Sequence, residues 1–262
     1  MLNRCLLRFG APRTIVEVGA WSGDDRLIEV CRDRGHHLYL IEPNPRWIEV
    51  LRAKTKGAPT IHVLACAVSD VDGTATFHIA NHDDCSSLQE FDARANSDWM
   101  PRFHPYGALE MVDSVEVSVK RLDTLMDFYG IGTIDLLEID AQGEDLRVVQ
   151  SLGARIADVR KIQVEVNLHS SPLYERSFTL DDARAFFDSQ QFDEHVSWTQ
   201  SMGREANVVF RNRRFHPPTL LTRMAAAIEQ RWIRMHFAAL KVPRVLAVTA
   251  GMLSGAIRKG NR

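Results

Sequence analysis

Apolar and polar positions along the first two thirds of the chain fall into blocks whose period switches between strand and helix. Residues 14–18 (TIVEV) form a β-branched run that stops at Gly19. Residues 38–41 (LYLI) make a second run, closed by Glu42-Pro43-Asn44-Pro45, and residues 61–67 (IHVLACA) a third. Between them, residues 24–34 carry Leu27, Ile28, Val30 and Cys31, and residues 46–56 carry Trp47, Ile48, Val50 and Leu51. That spacing is helical. Strands apolar at nearly every position, alternating with helices, predict a parallel sheet covered on both faces.

The middle of the chain reads differently. Residues 74–79 (TATFHI) and 115–119 (VEVSV) alternate with period two and predict strands. Residues 80–113 between them are polar and aromatic, with His82, Cys85, Trp99, Phe103, His104 and Tyr106. They read as an insertion of loops and short helices over the sheet edge, a usual seat of specificity. The alternating pattern then resumes: a strand at 134–139, a helix at 144–152, a strand at 161–166, and a helix at 180–190 capped by Thr179. Residues 195–198 and 207–210 close the sequence of strands as an antiparallel pair. The predicted fold is a doubly wound, mostly parallel seven-stranded α/β sheet with a closing antiparallel hairpin, spanning residues 1–215. After His216-Pro217-Pro218, residues 219–262 hold no strand pattern and are rich in arginine and lysine interleaved with apolar residues.

Composition narrows the function classes. The chain has 262 residues, of which 45% are hydrophobic and 25% charged, enough for a globular core. A formal net charge of -2 gives no overall attraction to nucleic acid or to anionic membrane. Cys5, Cys31, Cys66 and Cys85 form no CxxC pair and read as reduced structural thiols, which suits a cytoplasmic location. The first twelve residues lack a secretory apolar region, and no stretch approaches the ~20 apolar residues of a membrane span.

Candidate chemistry gathers at the strand ends. Glu17-Val18-Gly19-Ala20-Trp21-Ser22-Gly23 joins the first strand to the first helix. Its glycines allow close backbone approach to a ligand, and ligands of open parallel sheets bind beyond the carboxyl ends of the strands. The spacing is neither GxGxxG nor a P-loop, and Glu17 suits a cationic ligand group better than a pyrophosphate. Glu42-Pro43-Asn44 ends the second strand about 20 residues further on, where a carboxylate accepts bonds from ribose hydroxyls. These two motifs alone leave S-adenosylmethionine and a nicotinamide dinucleotide both open. Ala67-Val68-Ser69-Asp70 ends the third strand, either beside an adenine ring or as a simple turn. Asp140 ends the 134–139 strand ahead of Gly143 and Glu144, an acid that also suits a helix start. Glu165, Asn167 and His169 share one side of an extended chain. An acid on a mostly apolar strand needs a partner or a function.

The ordered runs VEVGAWSG, IEPNP, AVSDVDG, CSSL, VKRLDTL, IDLLEIDAQGED and KIQVEV together resemble the FkbM-type methyltransferases, over roughly residues 14–169 and, with the hairpin, to about residue 210. The resemblance implies a class I methyltransferase Rossmann-like fold, S-adenosylmethionine as donor, and O-methylation of sugars, glycolipids or polyketide-type products. On it, Glu17, Gly19, Ala20 and Gly23 line the methionine end of the donor. Glu42, with Pro43 and Asn44, holds the ribose. Ala67 and Val68 flank the adenine, and Asp140 lies near the donor amino group or the acceptor. Two departures stand out. The family usually shows DVGAN where this chain has Glu17 and Trp21, and often a lysine where it has Glu138.

An alcohol nucleophile gains from a nearby base. Glu165 or His169 is the candidate to take the proton, with Asp140 positioning the acceptor. Alternatively Asp140, Glu165 and Asn167 hold a divalent cation that acidifies the hydroxyl. Ser86 and Ser87 are candidates to bond acceptor hydroxyls, and Trp99, Phe103 or Tyr106 to stack on a ring. The expected partner is a small-molecule or glycan acceptor rather than nucleic acid. The basic tail suits either an anionic membrane surface or packing against its own domain or a second subunit. Two rivals remain: a nicotinamide-dependent oxidoreductase, and a non-catalytic protein that kept the fold.

Overall fold

A computed structural model describes residues 11, 13–94, 109–168, 172–217, 224, 227, 228 and 231. His169, Trp99, Phe103, His104, Tyr106 and almost all of the basic tail lie outside the described residues. Residues 3–217 form one compact unit and residues 218–262 a second. In the second unit Met224, Ala227, Ile228 and Arg231 are helical.

The first unit alternates strands and helices: β1 (Thr14–Val18), α1 (Asp25–Arg34), β2 (His37–Ile41), α2 (Pro45–Thr55) and β3 (Ile61–Leu64). Then come β4 (Ala67–Val68), β5 (Gly73–Ala80), β6 (Met111–Lys120), α3 (Leu122–Phe128) and β7 (Leu136–Ile139). The run ends with α4 (Asp145–Gln150), β8 (Lys161–Asn167), α5 (Leu180–Ser189), β9 (Phe192–Gln200) and β10 (Glu205–Asn212). The main sheet has seven strands in the order β3-β2-β1-β7-β8-β10-β9. Its first five strands are parallel, and β10 runs antiparallel to both β8 and β9. This is the doubly wound sheet with a closing hairpin that the hydrophobic pattern predicts.

Both faces are covered, as parallel strands require. Along β1, Ile15 turns to one face and Val16 and Val18 to the other. Ile15, Leu38, Leu40 and Leu136 meet Leu27, Ile28 and Cys31 of α1 and Leu51 of α2. Val16, Val18, Ile139, Ile162 and Val164 meet Leu122 and Met126 of α3, Val148 and Val149 of α4, and Phe187 of α5. Each such side chain contributes roughly 1.5–3 kcal/mol by leaving water. Local signals set the helix starts. Asp24 accepts the Leu27 N–H at 2.9 Å, Asn44 accepts from Arg46 ahead of Pro45, and Thr179 and Asp182 form a reciprocal capping box. Gly35 ends α1 at φ +63°, which an L side chain rarely adopts.

One expectation is corrected. The apolar run 61–67 is not one strand. It turns at Ala65, where the Cys66 N–H returns to the Leu64 carbonyl at 3.1 Å, and Ala67–Val68 leave the main sheet. They pair in parallel with Val119 and Lys120 of β6, which pairs antiparallel with β5. A second, three-stranded sheet, ordered β4-β6-β5, results. Continuous hydrophobicity cannot report this break, because both halves of the run are buried. The insertion begins after β5 with a short 3-10 turn, Asp83–Cys85. No helix among the described residues is long and apolar enough to cross a membrane.

Candidate functional site

The strand order reverses at β1, which has β2 on one side and β7 on the other. A cleft of about 540 Å³, open to solvent, lies beyond the carboxyl ends of these strands. This is where open α/β sheets bind ligands.

The turn after β1 forms its floor. Gly19 and Ala20 both donate to the Ile41 carbonyl, at 3.0 and 3.1 Å. Gly19 has φ +79°, and a Cβ there would stand 1.9 Å from the Asp140 carbonyl oxygen. Only glycine lets the ends of β1 and β7 come this close. Gly23, at φ +70°, closes the turn by donating to Ala20 at 2.8 Å, and a Cβ there would stand 2.7 Å from Leu51. The first turn of α1 is already capped by Asp24, so a phosphate at that helix start would compete with a native carboxylate.

Glu42 ends β2 and is 4% exposed. Its two oxygens accept from the Trp21 N–H at 2.7 Å and the Asn44 N–H at 2.8 Å. The side chain is thereby aimed into the cleft with lone pairs to spare for ligand hydroxyls. Burial pushes its carboxyl up to about 7, against the pull of the two N–H bonds. Asp140, at the end of β7, opens into the cleft while crowded by protein on its other sides. Its carboxyl is pushed up to about 6 by burial, opposed by the Gln142 amide at 2.5 Å and reinforced by the charges of Glu138 and Asp84.

The cleft wall carries five carboxylates: Glu42, Asp83, Asp84, Asp140 and Glu144. No Lys, Arg or His lines it among the described residues. Asp83 is paired to Arg46 at 2.6 Å, outside the wall. Glu144 is 3% exposed and held by the Ser69 hydroxyl at 2.7 Å and the Gln89 amide at 2.8 Å. Between the acids, Val18, Ile41, Val68, Phe77 and Leu88 make an apolar surface. Such a wall receives a cationic ligand with an apolar ring and repels a pyrophosphate.

Behind Asp140 lies a rigid loop. Gln142 has φ +51°, and a Cβ on Gly143 would stand 2.7 Å from the Tyr174 Cβ. The Tyr174 hydroxyl reaches the Gln142 side-chain oxygen at 2.6 Å and the Cys85 carbonyl at 2.8 Å. Asp145, 1% exposed, accepts the Glu165 N–H at 3.0 Å and the Ala141 N–H at 3.3 Å, tying β8 to the Asp140 loop.

The structure thus brings together Gly19, Glu42, Pro43, Ala67, Val68 and Asp140 of the sequence-predicted set. Ala20, Gly23 and Asn44 shape the turns without lining the cleft. Glu17 alternates to the α1–α2 side of the sheet, in register with Glu138, which accepts the Gln163 amide at 3.1 Å. Glu165 does not line the cleft; its carboxylate accepts the Gln200 amide. Burial and then the charges of Asp140, Glu205 and Asp145 hold the Glu165 carboxyl well above the usual range. Asn167 is buried at the end of β8. No group of three or more His, Cys, Asp or Glu among the described residues stands in metal-binding geometry, and Asp140 alone of the trio Asp140, Glu165 and Asn167 lines the cleft. Ser87 is committed elsewhere, donating to Gln142 O at 2.6 Å and accepting from Gln89, whereas Ser86 lines the cleft and accepts the Ala80 N–H. Cys31 and Cys66 are buried free thiols and Cys85 is a half-buried one. Sequence reasoning missed Asp83, Asp84, Phe77, Gln142 and Tyr174. Only the glycine after Gln142 hinted at a strained loop.

The Methyltransferase FkbM domain matches residues 10–203. The chain belongs to the FkbM methyltransferase family. Among curated proteins it is similar to the 2-O-methyltransferase NoeI of Sinorhizobium fredii (strain NBRC 101917 / NGR234), 27% identical over 202 residues, covering 76% of this chain and 79% of that one. Among solved structures it is similar to the METTL16 MTase domain, with a TM-score of 0.44 and 7% identity, over 79% of this chain and 61% of that chain. It is also similar to a TehB-like SAM-dependent methyltransferase from Corynebacterium glutamicum ATCC 13032, with a TM-score of 0.38 and 9% identity, over 80% of this chain and 85% of that one. By family this chain is therefore a methyltransferase, and its seven-stranded sheet, ordered β3-β2-β1-β7-β8-β10-β9, is a doubly wound α/β sheet.

Proposed function

We propose that this FkbM methyltransferase uses S-adenosylmethionine and methylates a hydroxyl oxygen of a sugar, glycolipid or related polyhydroxylated acceptor. The acid-rich wall of the cleft, with no Lys, Arg or His among the described residues that line it, carries the donor assignment. It complements a sulfonium nucleoside and disfavours the dinucleotide that the glycine turn and Glu42 had left open. The 2-O-methyltransferase relative supports oxygen as the methylated atom.

The donor supplies a methyl group already activated on a sulfonium. The residues of the chain bind, align and handle the proton. Glu42 holds the ribose hydroxyls, its carboxylate fixed by two backbone N–H groups. Ala67 and Val68, beside Phe77, offer the apolar surface for the adenine. Asp140 faces the reacting region from the end of β7. With a carboxyl near 6 it is largely ionised at neutral pH and still basic enough to take a proton as the oxygen is alkylated. Glu165, already bonded by Gln200, holds the Asp140 loop through its backbone N–H on Asp145. Much of the rate enhancement comes from alignment of oxygen, methyl and sulfur.

Incubation with labelled S-adenosylmethionine and a panel of neutral sugars and glycolipids, read by mass and linkage analysis, tests the reading. A mass increase of one methyl on a hydroxyl supports it. Transfer only to nitrogen or carbon, or to no polyhydroxylated acceptor, contradicts it. Running the assay in EDTA tests the cation alternative, which full activity would eliminate.

A further inference from the structure

Trp21 is the most anomalous residue of the cleft. It lines the cavity, is 43% exposed, and sits at φ +46°, a backbone region unfavourable to a bulky L residue. An exposed indole on a strained backbone is costly twice over, and such outliers mark functional positions. It is also held in place. Its own N–H binds Glu42, and its ring meets Trp47 of α2 edge-on, with centroids 5.1 Å apart. The Arg46 guanidinium stacks over Trp47, 4.7 Å from the ring centroid, and pairs with Asp83 of the cleft wall at 2.6 Å. Trp21, Trp47, Arg46 and Asp83 therefore run as a chain of contacts from the glycine turn, over the start of α2, to the 3-10 turn after β5. The Trp47 indole N–H is buried and has no hydrogen-bond partner among the described residues, so that ring is placed by its aromatic and cationic contacts.

We propose that Trp21 is a donor-binding residue: its indole forms the solvent-side wall of the nucleoside pocket, packing over the ribose that Glu42 holds and tightening binding. This rests on the reading of the cleft as an S-adenosylmethionine site. The main-chain N–H of Trp21 on Glu42 and the packing of its indole on Trp47, which follows β2, assign the ring to the nucleoside half and not to the acceptor. Aromatic surface laid against the C–H face of a bound sugar contributes through the apolar area it removes from water. The turn needs only a residue that tolerates positive φ, which Asn does well and Trp poorly. The ring is thus retained against the preference of its backbone.

Binding of S-adenosylhomocysteine, measured by calorimetry and by tryptophan fluorescence, tests this on the wild-type chain, Trp21→Asn and Trp21→Phe. Trp21→Asn is expected to keep or raise the thermal midpoint, weaken binding about 10-fold (roughly 1.4 kcal/mol), and lose most of the ligand-dependent fluorescence change. Trp21→Phe, which keeps a ring on the same strained backbone, is expected to stay within roughly 3-fold of wild type. A purely structural Trp21 would instead give a less stable Trp21→Asn with unchanged affinity, which overturns the proposal. Absence of binding to the wild-type chain would overturn the donor reading itself.

Discussion

Gly19→Ala is the sharpest perturbation the cleft allows. The methyl group would stand 1.9 Å from the Asp140 carbonyl oxygen, about 1.5 Å short of ordinary contact. That neighbour is backbone at the end of β7 and cannot swing aside. Either β1 and β7 part at their carboxyl ends or the turn refolds. Displacing the turn strains the Asp140 N–H bond to the Val18 carbonyl, which ties β7 to β1, and the Gly19 N–H bond to the Ile41 carbonyl, which ties the turn to β2, both 3.0 Å. Two such bonds are worth about 1 kcal/mol each. Holding alanine at φ +79° adds about 1–2 kcal/mol. The expected destabilisation is therefore about 3–4 kcal/mol, or roughly 10 °C in the thermal midpoint of a domain this size. Gly35→Ala provides the control. Gly35 also has positive φ, at +63°, but a methyl group on it would meet none of the described residues within 4 Å. The change should cost only the backbone component, about 1–2 kcal/mol. Thermal unfolding and calorimetric titration with S-adenosylhomocysteine on both variants provide the readouts. Gly19→Ala should lose most binding and Gly35→Ala none. Equal midpoints and equal affinities in the two variants would refute the close approach of the β1 turn to β7 as the foundation of the site.

Three further outcomes follow from named groups. Glu42→Gln turns one N–H acceptor into a donor facing another donor, and should weaken S-adenosylhomocysteine binding by at least about 10-fold in calorimetry, in keeping with about 1.5–3 kcal/mol for a hydrogen bond to a charged group. Glu42 and Asp140 have folded carboxyls raised to about 7 and about 6 from ordinary values of 4.5 and 3.8. Raised folded values mean stability that is present below about pH 4 and lost as pH rises through 6 to 7; for buried Glu42 this amounts to about 3 kcal/mol. The contribution of these groups should make ligand-free protein melt lower at pH 8 than at pH 5.5, and Glu42→Gln should flatten that slope, while affinity for the cationic donor should rise over the same interval. Asp145→Ala strips the acceptor from the Glu165 and Ala141 N–H groups. It should destabilise the fold by about 2–4 kcal/mol by leaving buried donors unpaired, measurable in denaturant titration.

The sheet was largely legible because its signals are local. β-branched runs ending at Gly19 and Glu42, with helical spacing between them, dictate alternation, and Asp24, Asn44 and Thr179 mark helix starts through their own side chains. The break at Ala65 was not legible, since a hydrophobic run keeps the same appearance whether it stays in one sheet or crosses to another. The floor of the cleft, Gly19 with Glu42 and Asp140, lies at strand ends, where topology converts sequence position into spatial position. Asp83, Asp84 and Tyr174 come from segments whose placement depends on the second sheet and on the loop at Gln142, and no periodicity reports that. Glu165 shows the limit of alternation: period two assigns it to one side of β8, but only the packing of the closing hairpin shows that Gln200, at the end of β9, already binds it.

The donor reading puts a sulfonium nucleoside in the acid-walled cleft at the β1–β7 switch point. Calorimetric titration of the purified chain at neutral pH with S-adenosylmethionine, S-adenosylhomocysteine and NAD, side by side, decides between this donor and a dinucleotide. Saturable binding of the first two at a ratio of one per chain, with no heat from NAD, is the predicted result. Binding of NAD, or of none of the three, would contradict it.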